Sequence, residues 1–149
     1  MTKNDKKWLK DLYEKSWEHH PPQYSGGRQT SYGHAEDKPI SKDDREKFWN
    51  LIEFYKKQLV FEPGSGVFGF GVSMGVYLPM PGNYPGVPDE AEHLMTVTGK
   101  QMFPELRGAS DAAKVYEAFG KYTHTEKNRE ARKEAGFKDP LRDWTYYDY

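Results

Sequence analysis

The chain has 149 residues, and its 22 basic and 23 acidic side chains give a formal charge of −1 at neutral pH. This balance excludes a nucleic-acid-binding protein that acts through bulk positive charge, and the lack of cysteine excludes a disulfide framework, a thiolate metal site and cysteine catalysis. Charged residues make up 30% and apolar ones only 36%, with a mean hydropathy of −1.00, so we expect no independent globular core.

Residues 1–62 are predicted to form an N-terminal region of two amphipathic helices joined by a linker. The first helix is predicted from Lys6 to His19, because its apolar residues recur at spacings of three and four. Residues 21–40 are rich in Pro, Gly, Ser and Tyr without periodicity, which is typical of a linker. Ser41 precedes a run of acidic residues and then an apolar stripe, which indicates the capped start of the second helix.

The segment from Pro63 to Pro88 contains no charged residue, although 30% of the residues in the whole chain are charged. We interpret it as a short Gly-rich transmembrane helix, because glycine is common in membrane helices and costly in helices exposed to water. Small residues at spacings of four would let such a helix approach a neighbour closely. The predicted helix-packing interface consists of Gly69, Gly71, Ser73 and Gly75.

Two other interpretations of this segment stay open. Large side chains alternate with small ones from Phe68 to Leu78, which is the pattern of a β-strand or of a buried extended loop. Gly64, Gly66 and Gly69 also match the spacing of a dinucleotide-binding turn. That match needs a strand before it and a helix after it, whereas the pattern predicts a helix before it and no second strand.

Residues 89–149 are predicted to form a polar helical arm with an aromatic tail. Three helices are expected in it, at Asp89–Thr98, Ser110–Phe119 and Thr125–Ala135. Aromatic side chains offer large contact areas with few rotatable bonds. We therefore predict seven of them as partner anchors: Trp8, Trp17, Trp49, Trp144, Tyr146, Tyr147 and Tyr149.

The titratable residues show no spacing that is typical of catalysis or of metal binding. None of the five histidines forms a zinc motif, and His19 and His20 would point apart on a helix, where an imidazolium suits the C-terminal end. The carboxylates are scattered through charged faces. The sequence therefore predicts no catalytic, cofactor-binding or metal-binding residue, no cofactor, no enzyme activity, no small-molecule substrate and no nucleic-acid partner.

The layout of the whole chain resembles the supernumerary subunits of mitochondrial inner-membrane respiratory complexes, which combine one short span with polar arms and aromatic tails. No residue motif matches a particular subunit, so no functional residue is carried over. The resemblance implies a mainly α fold with extended irregular segments and a non-catalytic structural or assembly role. It also implies contact with other subunits of a membrane protein complex and with the lipid bilayer.

The charges that flank the uncharged segment predict an orientation. Lys56 and Lys57 precede it and Asp89, Glu90 and Glu92 follow it, which places the N-terminal side toward the matrix.

Two alternatives to the respiratory-complex subunit stay open. One is a soluble peripheral interaction subunit of a large assembly, such as an organellar ribosome, and the other is a small nucleotide-binding enzyme.

Overall fold

The computed structural model describes residues 1–64, 72–80, 90–106 and 109–137. Within these ranges the chain has a mixed α/β fold, so the expectation of a mainly α fold is wrong. The elements in chain order are α1 (Lys3–Lys15), β1 (Trp17–His20), β2 (Gln23–Ser25), β3 (Arg28–Ser31), β4 (His34–Asp37), α2 (Lys42–Tyr55), β5 (Val60–Gly64), β6 (Ser73–Met80), β7 (Glu90–Thr98), α3 (Gly99–Met102), α4 (Ala109–Thr123) and α5 (Glu126–Glu134).

The central sheet is antiparallel, with the strands in the order β5-β6-β7. Val76 in β6 pairs with Phe61 on one side and with Met95 on the other. Met74 and Val76 are both fully buried, with Ser73 and Tyr77 less so, which follows the alternation of large and small side chains in the sequence. The strand interpretation is therefore confirmed for Ser73–Met80, and its two partners are β5 and β7.

The transmembrane interpretation of residues 63–88 is wrong for the part of the segment that is described. Ser73 and Gly75 of the predicted helix-packing interface lie in β6, while Gly69 and Gly71 lie outside the described residues. Among the helices in the described ranges, none combines the length and the apolar character needed to cross a bilayer. A Cβ atom at Gly75 would lie 2.9 Å from the ring of Tyr77, so this glycine permits close packing on a sheet rather than between helices.

The local structure also differs from that of a dinucleotide-binding turn. A strand, β5, ends at Gly64, where the pattern predicted a helix before the match. The residues from 65 to 71 lie outside the described ranges, and the next described element is β6, which runs antiparallel to β5. A dinucleotide-binding unit instead requires a helix after the turn and a parallel second strand.

One hydrophobic cluster connects the helices with the central sheet. Within the described residues its 18 buried members come from α1, α2, all three strands of this sheet, α3, α4 and the segments between them. They are Leu9, Leu12, Ile40, Phe48, Ile52, Tyr55, Leu59, Phe61, Val72, Met74, Val76, Leu94, Met95, Val97, Met102, Val115, Phe119 and Tyr122. The expectation of no independent core is therefore wrong, because the few apolar residues converge on one place instead of being spread over a long chain.

Helices α2, α4 and α5 agree with the sequence patterns, whereas the end of the first predicted helix and the segment Asp89–Thr98 do not. The Ser41 hydroxyl accepts a hydrogen bond from the backbone N–H of Asp44 at the start of α2, as predicted, and α4 and α5 lie close to their expected positions. Helix α1 ends at Lys15, so His19 and His20 lie on a strand. The segment predicted as a helix at Asp89–Thr98 instead contains strand β7.

The segment predicted as a linker, residues 21–40, contains most of a second antiparallel structure. Strand β1 pairs with β4, and β2 pairs with β3 between them in the sequence. Residues 17–37 therefore form one long two-stranded ribbon, with β1 and β4 at its base and β2 and β3 at its tip. Gly26 and Gly27 connect β2 to β3 with φ values of +59° and +80°. Two successive positive φ values are the requirement of a type I′ turn, which matches the right-handed twist of a two-stranded ribbon.

Candidate functional site

Residues 17–37, named here the ribbon arm, form the most exposed ordered structure in the described part of the chain. From Glu18 to Glu36 every side chain with an assigned burial is exposed, apart from His20 and Ser31, which are half-buried. Tyr24 is 65% exposed and Tyr32 is 84% exposed. Large aromatic side chains that bury little on their own chain provide contact area for another molecule.

The base of the ribbon arm is fixed to the core by hydrogen bonds to two backbone carbonyls. The carbonyl of Ser16 accepts hydrogen bonds from the backbone N–H of Lys38 at 2.9 Å and from the side-chain Nε2 of Gln101 at 2.7 Å. Gln101 is fully buried, and its backbone carbonyl accepts from the N–H of Ile40. One glutamine therefore secures the residues that enter the arm and those that leave it.

Two side chains at the base of the arm add contacts with β7. Trp17 Nε1 donates to the carbonyl of Thr96, and the hydroxyl of Thr98 donates to the carboxylate of Asp37. Thr98 and Gln101 also form a capping box at the start of α3. The arm is thus attached firmly at Trp17 and Asp37, which pair with each other, while its tip extends away from these contacts.

The strand pairing brings ionisable side chains together that are far apart in the sequence. Glu18 lies directly opposite Glu36, and His20 lies 3.4 Å from a carboxylate oxygen of Glu36. The histidine spacings gave no sign of this cluster, because its members are joined by a turn of the chain rather than by a local motif. The signal in the sequence is that residues two apart share one face of a strand, and that two adjacent glycines form a turn that brings two such strands together.

A second surface feature is a cleft of about 370 Å³ next to α5. It is lined by Lys56, Lys57, Leu59, Phe61, Lys121, Tyr122, Thr125, Glu126, Lys127, Asn128 and Ala131. Lys56 pairs with Glu53 at 2.6 Å, and Lys121 lies 5.8 Å from the centroid of the Tyr122 ring. Thr125 caps α5 and Asn128 bonds to β5, so the cleft offers positive charge rather than a reactive group.

Buried polar side chains in the described core hold elements together. Asn128 accepts from the N–H of Phe61 at 2.8 Å and donates to the carbonyls of Phe61 and Thr123. The guanidinium of Arg132, 2% exposed, donates to both carboxylate oxygens of Glu62 at 2.8 and 3.0 Å. These contacts attach α5 to the edge strand β5, which gives both residues a structural role.

Several ionisable groups have pKa values displaced by this packing. Hydrogen bonds from Lys10 and Lys6 lower the pKa of Glu92, which joins α1 to β7. Burial lowers the pKa of His93 and that of His124, and burial together with a hydrogen bond to Glu53 raises the pKa of Tyr122. Each shift has a structural cause in the contacts between elements.

The predicted partner anchors fall into two groups. Trp8, Trp17 and Trp49 are half-buried, with Trp49 stacked on Tyr122 at 5.8 Å between ring centroids and Trp8 under the ammonium of Lys47. Their described contacts are within the chain, and their role toward a partner stays a prediction. The other four anchors, Trp144, Tyr146, Tyr147 and Tyr149, lie outside the described residues.

Comparison of the chain with protein-family models, with curated proteins and with solved structures finds no match.

Proposed function

We propose that this chain is a non-catalytic interaction subunit that attaches to a larger protein assembly through the ribbon arm. The observation that carries the proposal is an ordered two-stranded arm with exposed tyrosines, anchored at its base to a separate hydrophobic core. Isolated two-stranded hairpins are marginally stable in water. An arm of this kind gains most when a partner covers its surfaces.

The chemistry of the arm favours a protein as the partner. The arm carries three carboxylates, at Glu18, Glu36 and Asp37, against one arginine, at Arg28, so it does not attract a phosphate backbone. Tyrosine is among the residues that most often dominate the binding energy of protein interfaces. The two edges of the ribbon also offer backbone N–H and C=O groups to which a partner strand can be added.

A peripheral subunit is favoured here over a membrane-embedded one. The respiratory-complex interpretation depended on a membrane-spanning helix in residues 63–88, and the described parts of that segment contain the end of β5 and all of β6. The proposal therefore takes up the alternative of a peripheral subunit of a large assembly. Membership of a mitochondrial complex, contact with lipid and the matrix-facing orientation stay predictions from the layout of the sequence.

Site-specific photo-crosslinking in the cells that produce the chain tests the proposal. A photoreactive residue is placed at Tyr24 or at Tyr32, and in a matched control at Phe54, which is 77% exposed but lies on α2. We expect the two arm positions to crosslink the same protein and the Phe54 position not to do so. Equal crosslinking from all three positions, or none from the arm, would contradict the proposal.

Size fractionation of a gentle lysate gives a second readout. Because Trp17 and Asp37 are paired neighbours, residues 18–36 can be replaced by a short Gly/Ser linker without separating the ends of the core. The full chain should elute with a large particle and the arm-less variant as a monomer. An arm-less variant that remains in the particle would show that another surface makes the attachment, and the Tyr24→Ser/Tyr32→Ser variant repeats the test with the arm in place.

A further inference from the structure

We propose that Glu18, His20 and Glu36 form a binding site for a divalent transition-metal ion on one face of the ribbon arm. This inference is independent of the partner of the arm. Each of the three residues offers one ligand atom, and these atoms all lie within 4.8 Å of one another. Around a single zinc ion the ligand atoms stand roughly 3.3 Å apart, since each bond is about 2.0–2.1 Å long, so modest side-chain rotations complete the site.

The register of the ribbon explains why these side chains share a face. Residues two apart on a strand point to the same side, which groups Glu18 with His20, and Glu36 lies directly opposite Glu18. The backbone pairing also sets His34 opposite His20. His19, between the first two residues, points to the other side of the ribbon and pairs with Ala35.

Charge gives the site a reason to bind a cation. Two carboxylates directly opposite each other on a ribbon repel and destabilise the pairing. The Lys38 ammonium lies 4.0 Å from Glu18, and the His20 imidazole lies 3.4 Å from Glu36. A divalent ion between them would neutralise both carboxylates at once and would connect β1 to β4.

The donor set indicates the class of metal. One imidazole nitrogen with two carboxylate oxygens suits Zn²⁺ or Co²⁺, whereas Mg²⁺ and Ca²⁺ prefer oxygen ligands alone. Glu18 and Glu36 have side chains that are 50% and 60% exposed, which leaves coordination positions to water or to a residue of a partner. The site therefore resembles an open site more than a closed structural one.

Isothermal titration calorimetry of the untagged full chain with zinc chloride at pH 7.5 tests the site. We expect one zinc ion per chain, and no binding of magnesium chloride under the same conditions. His20→Ala and the double variant Glu18→Gln/Glu36→Gln should each weaken zinc binding by at least about tenfold, since loss of even an outer-shell partner costs 10–100-fold. The matched control, His19→Ala, should change the affinity by less than about twofold, because His19 faces away.

Hydrogen exchange of the arm distinguishes zinc bound at this site from zinc bound elsewhere on the chain. Zinc should slow exchange of the amides in β1 and β4 in the wild-type chain and in His19→Ala, but not in His20→Ala. The proposal is overturned if the wild-type chain binds no zinc, or if His19→Ala and His20→Ala weaken binding equally. The photo-crosslinking experiment requires no zinc, so failure of this site leaves the result for the arm unaffected.

Discussion

At the scale of single residues, the described fold depends on a few buried polar side chains that connect distant segments. Asn128 joins Phe61 to the turn between α4 and α5, across a separation of 67 residues along the chain. Gln101 reaches Ser16 across 85 residues. Removing the partner of a buried polar group lowers the stability of the fold by more than the hydrogen bond contributes to it, so these positions tolerate substitution poorly.

Substitution of Asn128 tests this dependence. Asn128→Ala removes three hydrogen bonds and leaves buried backbone groups of Phe61 without a partner, so we expect the free energy of unfolding to fall by about 2–4 kcal/mol. Urea denaturation followed by circular dichroism measures the change. The control, Asn50→Ala on the exposed side of α2, should change stability by less than about 0.5 kcal/mol. Equal losses for the two variants would contradict the structural role of Asn128.

Acidification should destabilise the chain in two stages. Burial lowers the pKa of His93 and of His124 in the folded chain, so the unfolded chain binds protons first. The free energy of unfolding should therefore fall as the pH decreases through about 6.5, the ordinary histidine pKa, toward the lower folded values. The hydrogen bonds that lower the pKa of Glu92 add a second loss at more acidic pH, as that carboxylate becomes protonated.

Two variants separate the stages when urea denaturation is repeated from pH 7.5 to 4. In the double variant His93→Gln/His124→Gln the free energy of unfolding should no longer fall in the first stage. In Glu92→Gln only the fall at more acidic pH should change. The ring of His93 lies against the rings of Tyr13 and Tyr77, forms a hydrogen bond with Thr96 and lies near the charge of Lys10. A first stage that persists in the double histidine variant would show that other groups cause it.

Residue-level prediction from sequence succeeded where partners are close together in the chain. Ser41 and Asp44 form the predicted cap because a cap needs only residues three apart. The capping box of Thr98 and Gln101 has the same short spacing, yet the sequence pattern predicts a helix that ends at Thr98, where the structure begins one. The roles of Asn128 and of the cluster on the arm depend on strand pairing, which spacing alone does not reveal.

At the scale of elements, the turn of the ribbon arm makes a prediction about local order. Gly27 has φ of +80°, and no atom lies within 4 Å of the position of a Cβ. A side chain there would have space, but its backbone would be strained. Gly27→Val should cost about 1–2 kcal/mol within the arm. Hydrogen exchange should show lost protection in β2 and β3, with the urea midpoint of the core unchanged.

The matched variant for this turn is Gly27→Asn, because asparagine tolerates the left-handed conformation. It should preserve the protection of β2 and β3. If both variants disorder the arm equally, or if Gly27→Val also lowers the midpoint of the core, the arm is not the separate element described here.

The elements that sequence patterns predicted best are those with a strong period. Helices α2 and α4 have regular apolar spacing, helices α2 and α5 begin at a capping residue, and all three lie near their predicted positions. Strand β7 begins with glutamates, which favour a helix locally, but its later residues Leu94, Met95 and Val97 are buried on the sheet. Strands β1 to β4 bury almost nothing, so no apolar alternation marked them.

At the scale of the whole molecule, composition misled because it averages over regions of different character. An apolar share of 36% predicts a poor core if the apolar residues are spread evenly. In this chain they concentrate in α1, α2, the central sheet and α4, while the ribbon arm and α5 are largely polar. The result is a core that is built from the chain itself and an arm that extends from it.

Hydrogen exchange of the full chain in plain buffer, without detergent or partner, tests this division most directly. Amides in β6, β7 and α2 should exchange only through global unfolding, and should therefore be the slowest in the molecule. Amides at the tip of the ribbon arm, in β2 and β3, should exchange much faster. Rapid exchange throughout β6 and β7 would contradict the account, because it would mean that the core does not form without neighbours.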